Sequence, residues 1–227
     1  MNNPQPIDWH NIDTVLFDMD GTLLDLHYDN YFWLHHLPEQ YALLKGCPIE
    51  EAREHLENKI RSQLGTLNFY CIDYWIDELE IDIVALKYEV QNRIQFLPHA
   101  EVLLSAINKL PVQSLIVTNA HRKTLAVKDA ALNFSSYVDD VHASHDFGLP
   151  KEDPQFWELF AKKFSFDPAR TVFVDDNERV LASADQYGIR HLIMPLNPDS
   201  QRAAQKMRQP ERYTGIQSLA ELLPNKA

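Results

Sequence analysis

Cysteine is nearly absent. Cys47 and Cys71 are the only two, and they form no Cys-x-x-Cys pair. That argues against a disulfide framework. The expectation is two reduced packing cysteines in a cytoplasmic protein. Positive charge is also scarce. Lys and Arg number 21 against 33 Asp and Glu, for a formal net charge of -12 and a pI near 5.2. Such a surface repels nucleic-acid backbones, so no nucleic acid polymer is expected as a partner. It repels phosphorylated metabolites too, so chemistry on them would need a local source of positive charge. No apolar run approaches the length of a bilayer span, and no membrane partner is expected. The N-terminal MNNPQPIDWHNID lacks a basic start followed by an apolar stretch, so no secretory leader is read from it. Internal repeats and low-complexity segments are absent as well.

What is present is a 227-residue chain with 45% hydrophobic residues. That suffices for one large domain, or a core with a smaller insert. Residues 14–18, TVLFD, make a short apolar run with no helical period, followed by Gly21. This predicts a buried strand. Similar runs recur at Leu115–Thr118, Thr171–Val174 and Arg190–Met194. Helical patterns lie between them. Val102, Leu103, Ala106, Ile107 and Leu110 predict one apolar face. Val180, Ala184 and Tyr187 predict another, with Gly188 as the stop. Alternating strands and helices predict an α/β fold, a Rossmann-like parallel sheet covered on both faces.

Residues 27–94 contain no convincing strand. Pro38 can open a helix that Gly46 closes. Ala52, Leu56, Ile60 and Leu64 predict a second helix, Phe69, Ile72, Ile76 and Leu79 a third, and Ile83, Leu86 and Val90 a fourth. The prediction is a helical cap over 27–94, inserted between the first and second strands of a core formed by 1–26 and 95–227. Pro98 marks the return to the core, and Pro224–Ala227 is expected to fray.

The chemistry-bearing residues fall just past the strands. Asp18-Met19-Asp20-Gly21-Thr22-Leu23 follows the first. Ligands of open α/β sheets bind outside the carboxyl ends of strands, so two carboxylates there are well placed for chemistry. Thr118-Asn119 ends LIVT, Lys151 lies in LPKEDP before a helix around Phe156–Phe164, and Asp175-Asp176-Asn177 ends TVFV. Singly, these could be helix caps or a solvated lysine. In this order and spacing, bland readings of all of them together become improbable. His35 and His36 are adjacent and diverge around a helix, which does not suit joint metal binding. His121, Arg122 and Lys123 suit a solvated helix face better than a substrate contact, and Asp139-Asp140 is expected to be exposed.

The series DMDGTL, TNA, KEDP and VDDN resembles the four motifs of the haloacid dehalogenase superfamily. The likeness runs along the whole chain, and the helical insert resembles that superfamily's cap between the first and second motifs. It implies a magnesium-dependent phosphomonoester hydrolase working through an aspartyl-phosphate. Asp18 would be the nucleophile and Asp20 the general acid and base. Thr118 and Asn119 would bind phosphate, and Lys151 would bridge phosphate and Asp18. Asp18, the Asp20 main-chain carbonyl, Asp176 and Asp175 would hold Mg²⁺. Dehalogenases of the superfamily lack the second aspartate, so Asp20 argues against that activity. Phosphomutases share these motifs, and a phosphometabolite-binding protein is the non-enzyme alternative. Cap stretches such as LNFYCIDYW, with TNAH, FGLPKED and NPDS, are similar to bacterial purine 5′-nucleotidases of the superfamily. That implies purine nucleoside monophosphates, GMP and IMP, as substrates. Tyr28, Tyr31, Phe32, Trp33, Phe69, Tyr70, Tyr74 and Trp75 enrich the insert in aromatics. Each is more readily read as packing than as a base contact. The oligomeric state is left open.

Overall fold

A computed structural model describes residues 7–202, 210 and 212–224. Most of the expected C-terminal fray therefore lies outside the described residues. The first strand, β1 (Thr14–Phe17), is buried along its whole length. Six helices follow: α1 (His27–Tyr31), α2 (Leu37–Lys45), α3 (Ile49–Ser62), α4 (Leu67–Tyr70), α5 (Ile72–Leu79) and α6 (Ile83–Glu89). A single π turn over Phe32–His36 joins α1 to α2. The rest of the chain runs α7 (Ala100–Ile107), β2 (Gln113–Thr118), α8 (Arg122–Leu132), β3 (Asp140–Ala143), α9 (Pro154–Lys163), β4 (Thr171–Val174), α10 (Glu178–Tyr187), β5 (His191–Pro195) and β6 (Thr214–Ile216).

The strands form one parallel sheet in the order β3-β2-β1-β4-β5-β6. The chain builds outward from β1 to β3, then returns to the other side of β1 to place β4. This reversal makes the carboxyl ends of β1 and β4 a topological switch point, where crevices open in such sheets. Side chains alternate between the faces. Val15, Phe17, Ile116, Val172 and Val174 join the larger core, which also takes in residues of the inserted helices such as Phe32, Leu56 and Trp75. Leu16, Leu115, Val117 and Phe173 face the other core, against Phe156, Trp157 and Phe160 of α9 and Val180 and Leu181 of α10.

Local signals explain most boundaries. Gly46 takes φ +67 at the end of α2, and Gly188 takes φ +107 at the end of α10. The side chains of Asp153 and Asn177 cap α9 and α10. Several expectations need correction. The buried face of α7 is Ala100, Leu103, Leu104 and Ile107, while Val102 is 55% exposed. Leu64 lies past the end of α3 and is exposed. The helix expected across Phe69–Leu79 breaks at Cys71, where the backbone is extended. The Trp75 indole then donates to the freed Phe69 carbonyl at 3.0 Å. β3 and β6 were not anticipated. They are edge strands of four and three residues, too short to show a period. Asp139 and Asp140 are exposed, yet Asp140 opens β3 and Asp139 accepts a bond from the Ser114 amide at 2.7 Å. Cys47 and Cys71 are free thiols. Among the described residues, no helix is long and apolar enough to cross a membrane.

Candidate active site

The crevice opens at the switch point. Asp18 follows β1 directly, and its amide donates to Val174 of β4 at 2.8 Å, so the chain leaves the sheet in register. A tight turn comes next. The amides of Leu23 and Leu24 both donate to the Met19 carbonyl, and the Gly21 amide donates to Leu24. Gly21 takes φ +80, and a Cβ there would lie 2.5 Å from a carboxylate oxygen of Asp176. Glycine is thus needed both for its backbone conformation and for the close approach of Asp176. Gly21→Ala is expected to lower the melting temperature by roughly 2–8 °C and to displace Asp176, a pair of effects read by calorimetry and by divalent-cation titration.

Asp18, Asp20, Thr118, Asn119, Lys151, Asp175 and Asp176 all line one crevice of about 400 Å³. Carboxylate oxygens of Asp18, Asp175 and Asp176 lie within 4.8 Å of one another. Lys151 is buried between two of them. Its Nζ donates to Asp18 at 2.5 Å, to Asp175 at 2.7 Å and to the Val117 carbonyl at 2.9 Å. The other Asp175 oxygen accepts the Asn177 amide at 2.8 Å. Asp176 has no basic partner among the described residues.

These contacts set the charges. Burial would lower the Lys151 ammonium, but Asp175 and Asp18 outweigh it and hold the pKa above the usual lysine value. Burial raises the Asp18 carboxyl to about 6, opposed by Lys151 and reinforced by Asp175. Burial also raises Asp175 against the pull of Lys151. Asp176 goes well above its ordinary value, through burial and then repulsion from Asp175 and Asp18. One ammonium therefore faces three converging carboxylates. An all-oxygen cluster left with a surplus of negative charge suits a hard divalent cation such as Mg²⁺.

Thr118 and Asn119 sit at the end of β2. The Thr118 hydroxyl accepts the Ala120 amide at 3.0 Å. Asn119 is bound on both sides of its amide. It donates to Glu152 at 2.8 Å and accepts the Lys151 backbone amide at 2.9 Å. In this geometry Asn119 anchors the lysine loop. Glu152 was missed in the sequence. It also accepts from Tyr70 at 2.6 Å and thereby ties α4 of the insert across the crevice. His121, Arg122 and Lys123 do not line the crevice. Arg122 pairs with Asp146, Lys123 pairs with Asp73, and His121 packs edge-on to His145.

A second cavity of about 400 Å³ adjoins the first, sharing Asp20, Leu26, Tyr70 and Ala120 with it. Its walls are mostly apolar, with Trp33, Phe69, Ile72 and Trp75 from the insert and Asp29, Asn30 and Lys87 as polar groups. Trp33 and Trp75 meet edge to face at 5.7 Å. The loop NPDS braces this region: Asp199 accepts from Asn30 at 2.7 Å, and the Ser200 amide donates to Asp25 at 3.1 Å. Two buried lysines were also missed. Lys128 of α8 reaches Asp20 and Asp29, and Lys87 of α6 reaches Asp29. In the sequence both look like ordinary helix lysines.

Fold and site together define an α/β protein with an aspartate–lysine crevice at the head of a parallel sheet. The family model for haloacid dehalogenase-like hydrolases matches residues 12–188, and the chain belongs to that family. The chain is 37% identical over 219 residues to the GMP/IMP nucleotidase YrfG of Escherichia coli K12, an alignment covering 96% of this chain and 97% of that protein. Among solved structures it is similar to a HAD phosphatase from Thermococcus onnurineus, with a TM-score of 0.77, 19% identity and coverage of 93% and 96% of the two chains. It is also similar to L-2-haloacid dehalogenase from Xanthobacter autotrophicus, with a TM-score of 0.54, 17% identity and coverage of 86% and 80%. At such identities the structural likeness speaks to the fold alone.

Proposed function

We propose that this enzyme hydrolyses purine nucleoside 5′-monophosphates through a covalent intermediate on Asp18. The observation that carries the chemistry is the buried Lys151 ammonium between Asp18 and Asp175, beside an Asp176 that has no basic partner among the described residues. A carboxylate oxygen of Asp18 attacks phosphorus, and the bond from phosphorus to the ester oxygen breaks. Asp20, entering protonated, gives its proton to the leaving alkoxide. Its carboxylate then takes a proton from the water that attacks the aspartyl-phosphate, releasing inorganic phosphate and Asp18. Lys151 keeps its proton throughout and offsets charge on the phosphate oxygens, with Thr118 beside it.

Asp18 and Asp176, with the Asp20 main-chain carbonyl, would hold Mg²⁺. Both oxygens of Asp175, the third carboxylate of the cluster, already accept hydrogen bonds from Lys151 and the Asn177 amide. The bound ion supplies charge neutralisation for the phosphoryl group. Helices over 27–94 act as a cap that keeps water from the crevice. The purine assignment is supported by the name of the E. coli relative and by the aromatic cavity next to Asp20. A planar base stacks well on such walls, with polar groups at one side to orient it. A cytoplasmic setting and a small phosphomonoester as the substrate partner belong to the same proposal.

A phosphate-release screen over nucleoside monophosphates and sugar phosphates, with Mg²⁺ and with EDTA, tests it. GMP and IMP are expected to lead, and EDTA to abolish release. A flat response to both, beside strong release from a sugar phosphate, would overturn the substrate assignment. Full activity in EDTA would overturn the metal assignment.

A further inference from the structure

Lys128 is buried, with a side chain only 1% exposed. Burying an ammonium is costly unless it is well paired. Its Nζ donates to Asp20 at 2.5 Å and to Asp29 at 2.5 Å. The other oxygen of Asp29 accepts from Lys87 at 3.1 Å, and Lys87 is also buried. Lys87 is enclosed by Phe32 at 4.4 Å, Tyr28 at 5.1 Å and Trp33 at 5.6 Å from the ring centroids. The Tyr28 hydroxyl donates to the Lys87 carbonyl at 3.0 Å. The result is a continuous chain of side chains, Asp20–Lys128–Asp29–Lys87, in which acidic and basic groups alternate.

This chain is separate from the carboxylates gathered near Lys151. Lys128 is not needed to neutralise the cation cluster, because Asp18, Asp175 and Asp176 make no contact with it. Among the described residues, Lys128 is also the only donor bonded to the Asp20 carboxylate, and it binds a single oxygen. The carboxylate stands at the junction of the two cavities, with its second oxygen left for the reacting group. Asp29 is strongly held: Lys128 and Lys87 overcome its burial and bring it down to about 2. It is a fixed anion that keeps the Lys128 ammonium from swinging.

We propose that Lys128, anchored through Asp29 to Lys87, is the positioning residue for Asp20. It fixes the rotamer from which Asp20 serves the leaving oxygen in the first step and the attacking water in the second. The inference rests on the acid–base reading of Asp20 given above. Lys128 itself transfers no proton and touches no substrate. Proton transfer by a misaligned carboxyl is slow, and positioned acid–base groups contribute about 10²–10⁴-fold.

Rapid-mixing kinetics with p-nitrophenyl phosphate and with a nucleoside monophosphate, on the full chain with Mg²⁺, provide the test. p-Nitrophenolate leaves without a proton, whereas hydrolysis of the aspartyl-phosphate still needs Asp20. Lys128→Met is therefore expected to give a stoichiometric burst of p-nitrophenolate followed by turnover on the order of 10²-fold below wild type. With the nucleotide it gives no burst, a comparable or larger loss in kcat, and a KM within a few-fold of wild type. Asp29 retains Lys87 in this variant, so the fold should hold. Should it fail, Asp29→Asn carries the test, with a weaker burst and a loss on the order of 10-fold. Asp20→Asn is the reference and should burst like Lys128→Met. A folded Lys128→Met with wild-type turnover on both substrates, or with an equal loss on both and no burst, overturns the inference while Asp20→Asn still bursts. If Asp20→Asn keeps wild-type turnover, the acid–base reading fails and the role of Lys128 goes with it.

Discussion

Asp18→Asn is expected to lower phosphate release on the order of 10⁴-fold or more, the scale seen when a covalent nucleophile is removed. The side chain keeps its size, and its amide oxygen can still accept a bond from Lys151. What it loses is a full negative charge and the ability to form an acyl phosphate. The crevice then has one carboxylate fewer near the cation position, so divalent affinity should fall together with turnover. Two measurements separate these effects. Steady-state assays at saturating Mg²⁺ isolate the chemical loss. Acid quench after labelled substrate should trap phosphate on wild-type protein and none on the variant. Near-native activity in Asp18→Asn would remove the covalent mechanism.

Lys151→Met is expected to damage both rate and stability. The ammonium is buried and donates to three acceptors, two of them carboxylates. Without it, Asp18 and Asp175 face each other unneutralised. Breaking a buried pair by removing one partner typically costs about 3–5 kcal/mol. For a chain of this size that corresponds to a fall in melting temperature of roughly 6–20 °C. Turnover should drop on the order of 10²–10³-fold, the effect of losing one preorganised stabilising group. Mg²⁺ should recover part of the stability, because it supplies positive charge to the same carboxylates, but not the rate. A metal-free variant as stable as wild type would show that Lys151 is not the counter-charge of this cluster. Calorimetry with and without Mg²⁺ reads the first effect, and phosphate release reads the second.

The gathering of these side chains in one crevice was legible because each motif is local. DMDGTL, TNA, KEDP and VDDN each lie within a few residues of a strand end, and strand ends on one side of a parallel sheet converge. Asp18, Lys151, Asp175 and Asp176 therefore group together from their sequence positions alone. Asn119 shows where local reading stops. Its place after β2 was visible, but its use as an anchor for Lys151 and Glu152 depends on a loop 32 residues away. Tyr70 was counted among packing aromatics, yet it reaches Glu152 across 82 positions of sequence. Val102 reads as part of a buried face because it is apolar. Only the docking of α7 shows that Leu104 and Ala100 take that face.

The sequence by itself determined the parallel α/β core, the helices between its first two strands and the four loops that line the crevice. Those features follow from hydrophobic period, turn residues and carboxylates at strand ends, all of them short-range properties. Tertiary structure alone decided which charges are buried and which are free. Lys128 and Lys87 lie on helix patterns that suit solvated lysines as well as buried ones. Their pairing with Asp20 and Asp29 arises only when α1, α6 and α8 pack together and withdraw the ammonium groups from water. The cost of desolvating a charge depends on everything around it, and no stretch of sequence contains that information.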